Sequence, residues 1–356
     1  MKICILGDSH FGARGDSLDF HKYFEKFYNE VFFHYLKVND IKSIFQMGDL
    51  FDRRKFINFN TLHLCREYFF DRCQILGIKV YTLLGNHDIA FKNTLEINST
   101  GLLLNEYENI EYYDSFETVE FDGVKIDVVP WICDDNKQEI FNQMKQSTAQ
   151  ICFGHFEIAG FEMDKGNVCD HGLDKKILSK YDIVLSGHFH HKSTNDNITY
   201  VGTPYEMTWS DHNDQKGFHI FDTNTREMTF VKNPFTMFNK LIYDDGQTDF
   251  EHWKNYDFES LKDSYVKVIV MNKQNPYLFD TVIDSLYKVG VADLSIVEDF
   301  SDTLIDDDSD IVNQAEDTIT ILSKHIDNLT LDVEPEKLKT LMRELYIEAI
   351  NTEIAE

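Results

Sequence analysis

Five strand-length apolar runs, each stopped by a glycine and followed by metal-ligating side chains, constrain this chain more than any other feature. Residues 1–7 run into Asp8-Ser9-His10, and residues 41–47 into Gly48-Asp49-Leu50-Phe51-Asp52. Residues 79–84 run into Gly85-Asn86-His87-Asp88. Residues 150–153 end in Gly154-His155, and residues 181–186 in Gly187-His188-Phe189-His190. Short apolar runs bounded by turn residues read as buried strands. Glycine at the end of the third run is expected to let the chain turn sharply. Open α/β sheets take ligands at the carboxyl ends of their strands. Asp8, His10, Asp49, Asn86, His87, His155, His188 and His190 are therefore expected to converge on one edge of one sheet.

Taken singly, each cluster also reads as ordinary turn chemistry. Five in one chain, each after a β-like run, read as a site. Carboxylate, imidazole and amide oxygen together suit manganese, iron or zinc, and the lack of thiolate argues against a structural zinc site. The ligand count suits two ions bridged by a carboxylate such as Asp49, an arrangement that clamps a phosphate and ionises a water near neutral pH. His87 is the natural proton donor to the leaving oxygen, because Asn86 beside it can serve as ligand.

Between the first runs, residues 20–35 and 60–76 carry helical spacing, with Asn58 or Asn60 as cap and Gly77 as stop for the second. Residues 110–113, 118–121 and 125–131 look like antiparallel strands, with Asp122-Gly123 as a hairpin signal. Strands at 198–202 and 216–222 finish a mixed α/β layered domain over residues 1–234. Residues 235–300 read as a small α+β unit, strand and helix in alternation. Residues 298–310 carry seven acidic side chains and no basic one, so 301–310 reads as a solvated linker. Two amphipathic helical stretches follow within 311–356, and each needs another surface to cover its apolar face.

Composition excludes some classes. No apolar run approaches the roughly 20 residues needed to span a bilayer, and the first run is strand-length, not a signal peptide. Six cysteines lie scattered without CxxC spacing, the pattern of reduced thiols in a cytoplasmic protein. The formal net charge of −28 opposes polyanion binding. A nucleic-acid substrate would need metal ions, local basic loops or a partner to offset it. Arg53, Arg54 and Lys55 after the second cluster and Lys92 after the third are the local candidates for holding flanking phosphates.

Order and spacing of the five motifs resemble the calcineurin-like metallophosphoesterases over residues 1 to 220. Gly48-Asp49-Leu50-Phe51-Asp52 and the ending Gly-Asn-His-Asp are similar to the nuclease subunit of double-strand-break repair nuclease–ATPase complexes, and among these to the recombination endonuclease subunits of T-even-like bacteriophages. Within that group some members carry histidine where this chain has Asp52. The resemblance implies a layered β-sandwich phosphoesterase core flanked by helices, and a DNA exonuclease and endonuclease. It implies one ion held by Asp8, His10, Asp49 and His190 and another by Asp49, Asn86, His155 and His188. Two Mn2+ are the expected cofactors, with Mg2+ as substitute, and His87 the catalytic histidine. Residues 235–300 would be a capping domain, and 311–356 would dock an SMC-like ATPase subunit. The helix at 60–76, with 94–105, would form a homodimer bundle.

Two other readings compete. The acidic charge favours a stand-alone phosphatase or phosphodiesterase on small substrates, which the C-terminal helices and the Gly-Asn-His-Asp motif disfavour. A non-catalytic scaffold of the same fold is disfavoured because every ligand position and His87 are filled.

Overall fold

A computed structural model describes residues 1–298 except residue 165, together with residue 338. Two six-stranded sheets face each other. The first runs in the order Met228–Lys232, Gly217–Asp222, Lys2–Leu6, Ser43–Gln46, Lys79–Leu83, Ile110–Tyr113. Its last four strands are mutually parallel, while Gly217–Asp222 is antiparallel to both neighbours. The second runs Ser193–Asn195, Ile198–Tyr200, Ile183–Gly187, Ile151–His155, Val124–Val129, Glu117–Phe121. Its four inner strands are parallel and its two edges antiparallel. The layered α/β expectation holds.

Burial explains why these strands read as unbroken apolar runs. Side chains alternate between faces with period two, and both faces are covered. Ile3 and Ile5 point between the sheets, where they join Phe45, Leu83, Val128, Phe153 and Leu185. Cys4 and Leu6 point outward into a cluster with Phe24, Phe27, Tyr28, Phe69 and Phe70. Those aromatics come from two helical stretches, Leu18 to Val38 and Phe59 to Ile75, each with a π-helical turn at its middle. The two π turns touch: the Tyr28 and Phe69 rings are 4.9 Å apart. Asn58 caps the second stretch, its side chain accepting from the Asn60 N–H. On the outer face of the second sheet, Lys137–Gln146 buries Ile140 and Met144 against Cys152 and Val184.

Two local expectations are corrected. Ile110–Tyr113 is not antiparallel; it is the parallel edge of the first sheet, paired with Lys79–Leu83. A parallel return needs a crossover, and residues 84–109 supply one. Within it, residues 94–105 are not one helix. Thr94–Asn98 pairs with Ile89–Phe91 as a hairpin, and the helix is only Ser99–Leu103.

Downstream, Phe238–Asp244, Tyr265–Asn272 and Asp293–Val297 form a separate sheet whose strands are all parallel. Pro276–Val289 covers one face, burying Leu278, Phe279, Val282 and Leu286 against Val266, Val268 and Val270. Helical segments connect the first strand to the second and the second to the third, the alternation of strand and helix expected of this unit. Glu206 fastens its entrance: the carboxylate accepts the Met237 and Phe238 N–H groups at 2.7 and 2.9 Å. The acidic linker at 301–310 and the helical stretches within 311–356 lie outside the described residues, residue 338 aside.

His219 makes the fold acid-sensitive. It lies buried in Gly217–Asp222, its Nε2–H donating to the Val201 carbonyl at 3.1 Å. Burial pulls its pKa down to about 4. Between that value and the unfolded 6.5 the unfolded chain binds the extra proton, so stability is lost as pH falls through this window. The full loss is about 3 kcal/mol. Urea unfolding from pH 7 to 4 is expected to show a shallower decline for His219→Leu than for wild type; parallel curves would contradict this.

Candidate metal centre

All eight predicted residues meet in one place, but not on one sheet. Asp8, His10, Asp49, Asn86 and His87 leave three parallel strands of the first sheet. His155 ends, and His188 and His190 follow, two parallel strands of the second. The expectation of a single sheet edge fails because the sandwich brings the carboxyl ends of both parallel sets to the same end of the molecule.

Two clusters hold six of these residues, and His10 also groups with Asp52 and His87. Asp8, His10 and His190 form one, and Asp49, His155 and His188 the other, each with its ligand atoms within 4.8 Å of one another. Asp49 lies between them: its Oδ2 is 3.3 Å from His155 Nε2 and 3.8 Å from His10 Nε2. Asn86 Oδ1 stands 3.0 Å from His155 Nε2 and 2.9 Å from His188 Nδ1. His10 and His190 bring their Nε2 atoms to 3.2 Å. His87 adjoins the first cluster, its ring centroid 4.9 Å from that of His10.

Backbone geometry shows how tightly the centre is built. His10, Asp49 and His188 carry φ values of 42°, 53° and 88°, a left-handed region that ordinary residues seldom occupy outside functional sites. Gly85 is present for a reason different from the expected turn: a Cβ there would lie 2.1 Å from Asp49 Oδ1. The sharp turn belongs to Gly48, with φ +95°.

Electrostatics favour a cation. Burial pushes the Asp8 carboxyl up to about 7, against the opposing pull of His155. Burial also works against a charged His10, yet Asp52, Asp49 and Asp8 outweigh it and raise the ring to about 9. His155 reaches about 9 in the same way, through Asp49 and Asp8. Asp49, although buried, is held well below the carboxylate range by His155 and His87. The His155 Nδ1–H donates to the Met47 carbonyl at 2.8 Å, which turns the Nε2 lone pair toward Asp49 and Asn86. Buried lone pairs gathered this closely need protons or metal ions between them, and the oxygen–nitrogen donor set fits divalent ions of the manganese, iron or zinc kind.

Metal binding must therefore release protons. Groups raised to 7–9 are protonated at neutral pH in the free site, and ligation needs them bare. Affinity is expected to rise with pH up to about 9. Calorimetric titration with manganese in buffers of different ionisation enthalpy should show proton release at pH 7 that shrinks toward pH 9; a pH-independent count would contradict it.

The basic candidates are placed less uniformly. Arg53 pairs with Asp16 at 3.3 Å and stacks on Phe56. Arg54 is half-buried, its charge opposed by burial and supported by Asp49. Lys55 is exposed, and the three line a groove with Phe51, Ile97 and Leu102. Lys92 sits exposed on the turn of the 89–98 hairpin.

Several supporting residues escaped sequence reasoning. Asp88 is fully buried, and its carboxylate accepts the N–H groups of Asp49, Leu50 and Gly85 at 2.7, 2.9 and 2.9 Å. Asp52, where the resemblance put a histidine in some members, stands 3.5 Å from His10 Nδ1 and takes the His87 Nδ1–H on its carbonyl. Buried Lys216 donates to the His190 carbonyl at 2.8 Å and pairs with Asp211 and Asp214. Glu157 approaches His188 Nε2 at 3.9 Å; its only sequence signal is its place two residues beyond His155.

Paired carboxylate–histidine clusters at one end of a two-sheet sandwich define a metal-dependent phosphoesterase. The chain belongs to the calcineurin-like phosphoesterase family, whose model matches residues 1–192. It is similar to Exonuclease subunit 1 of Enterobacteria phage T4, with 35% identity over 353 residues that cover 98% of this chain and 99% of that protein. Among solved structures it is matched to a novel archaeal phosphodiesterase at 14% identity and a TM-score of 0.33, covering 65% of this chain and 100% of that one. A glutamine-dependent NAD+ synthetase from Acinetobacter baumannii matches at 12% identity and a TM-score of 0.28, covering 99% and 72%. Likenesses at these scores carry no weight for fold or function. Among the described residues, no helix is long and apolar enough to cross a membrane.

Proposed function

We propose that the chain is a DNA nuclease, hydrolysing phosphodiester bonds as exonuclease and endonuclease with two manganese ions, magnesium being a substitute. It is the catalytic subunit of a DNA recombination and repair complex. The observation that carries the reading is Asp49, poised between two ligand clusters with His87 beside them. Asp8, His10, Asp49 and His190 would hold one ion, and Asp49, Asn86, His155 and His188 the other. Paired divalent ions clamp a phosphate and make a nucleophile available near neutral pH. His87 supplies the proton to the leaving oxygen. Its Nδ1–H engages the Asp52 carbonyl, which fixes the ring plane, and its burial lowers its pKa, so a proton it carries is readily given up. Arg53, Arg54, Lys55 and Lys92 hold flanking phosphates. The name of the phage relative supports the nuclease reading and its subunit status.

Partners follow from the same reading. Residues 235–300 cap the site and limit which DNA enters. Residues 311–356 dock an SMC-like ATPase subunit, and the Phe59 to Ile75 helical stretch pairs two copies. Its ends carry exposed Phe59 and Ile75, which a partner copy would cover.

The test is release of nucleotides from labelled linear duplex DNA with manganese, with magnesium and with EDTA, beside a bis-p-nitrophenyl diester and p-nitrophenyl phosphate. Manganese-dependent release is expected. Turnover of the small esters alone, with or without the ATPase partner, would favour the small-substrate reading that the net charge of −28 supports. Deleting residues 311–356 should abolish ATPase binding while sparing cleavage of short DNA; undiminished complex formation would move the partner site elsewhere.

A further inference from the structure

A second kind of ligand cluster lies beside the paired centre. Glu157, Cys169 and His171 place a carboxylate oxygen, a sulfur and a ring nitrogen within 4.8 Å of one another. Glu157 Oε1 is 3.3 Å from His171 Nε2, the nitrogen left to a metal because His171 Nδ1 lies 2.9 Å from Asp170 Oδ1.

The loop leaving Ile151–His155 is built to hold them so. Its outgoing and returning passes are laced by main-chain hydrogen bonds. Leu173 N–H donates to Glu157 O at 2.8 Å, Gly160 N–H to Cys169 O at 2.8 Å, and Cys169 N–H to Phe161 O at 2.8 Å. Gly172, at φ +95°, lets the passes touch, since a Cβ there would lie 2.6 Å from Glu157 O. Cys169 is buried, Glu157 half-buried and His171 exposed. The three thus form a cup closed behind the sulfur and open at the imidazole.

We propose that Glu157, Cys169 and His171 form a zinc site separate from the paired centre. One sulfur, one nitrogen and one oxygen ligand with a fourth position left to water is a zinc arrangement. Thiolate disfavours magnesium and manganese, so this site selects against the ions expected at the paired centre. In the free protein the Cys169 thiol donates to the His171 carbonyl at 3.1 Å; zinc takes the sulfur as thiolate, and the proton passes to solvent. Glu157 Oε1 also lies 3.9 Å from His188 Nε2. Zinc therefore fixes the carboxylate that faces a ligand of the paired centre, and Glu157 becomes a positioning residue for His188. The site goes beyond the nuclease reading and stands whether or not DNA is the substrate.

Cobalt(II) on the full-length protein, as a stand-in for zinc, tests the proposal. Sulfur-to-cobalt charge transfer absorbs in the near ultraviolet, and the oxygen and nitrogen donors of the paired centre cannot produce it. The band is expected in wild type and in Cys133→Ser, whose cysteine lines the adjoining cavity with Glu157 and Gly172. It should vanish in Cys169→Ser and be displaced by zinc. His171→Ala changes an exposed side chain, so folding is preserved. Its sulfur-to-cobalt band should need at least about tenfold more cobalt to develop than the wild-type band. Absence of the band in wild type, or its survival in Cys169→Ser, overturns the site. If Cys169→Ser does not fold, a band that develops in His171→Ala at the wild-type cobalt concentration overturns it instead.

Discussion

His87→Ala is expected to keep its full complement of metal and to lose about 10²- to 10⁴-fold in kcat. The ring is not among the residues proposed to hold either ion, although it groups with His10 and Asp52. Among its contacts are the Asp52 carbonyl at Nδ1 and the edge of the His10 ring. The main-chain N–H of His87 donates to Asp49 Oδ1 at 2.7 Å, and alanine retains that bond. Removing the ring therefore takes away the proton donor without taking away a ligand. The measurement pairs steady-state cleavage with metal content after dialysis. A variant that has lost manganese would recast His87 as a ligand, and one that cuts at the wild-type rate would remove it from the chemistry.

Asp88→Ala is expected to be the most destabilising single change in the centre, although Asp88 is not proposed to touch metal or substrate. Its two oxygens satisfy three buried N–H groups on two different strand-end turns. Deleting them leaves those donors unsatisfied at about 1–3 kcal/mol each, and roughly 3–5 kcal/mol in all once relaxation is allowed. The turns that present Asp49 and Asn86 then lose their tie, so metal affinity should fall about 10- to 100-fold, as for other supporting groups behind ligands. Urea unfolding in EDTA reads the first effect, and manganese titration the second. Wild-type values in both would show that the two turns hold their places without the carboxylate.

The residues that gather at the centre were legible in the sequence because strands covered on both faces lose the usual alternation and stand out as unbroken apolar runs. The polar residues that stop them are then conspicuous. Pairing was not legible. Nothing local to Ile110–Tyr113 distinguishes a parallel edge strand from one arm of a hairpin. Nothing in the run ending at His155 says that it joins the sheet opposite the run ending at Asp49. Those choices are made by the packing of Phe45 on Phe153, whose ring centroids are 5.0 Å apart, between residues more than a hundred positions apart. Asp88 was visible as part of a motif, but its work is done through main-chain N–H groups, which leave no trace in side-chain identity. Gly85 was noticed for the wrong property: a turn residue and a residue against which another chain must lie look alike in one dimension. Lys216 gave no signal at all, since a single lysine before a strand reads as surface.

Each ligand cluster draws from both sheets: Asp8 and His10 sit opposite His190, and Asp49 sits opposite His155 and His188. Ions held as proposed would therefore be clasps across the seam of the sandwich as well as reagents. Separating the layers at that end means surrendering the metal, so the opening free energy grows with free metal concentration, by about 2.7 kcal/mol per site at a hundredfold excess over Kd. A chelator would then act on this protein as a local denaturant, loosening the seam at that end while the apolar interior between the sheets keeps the rest of the sandwich shut.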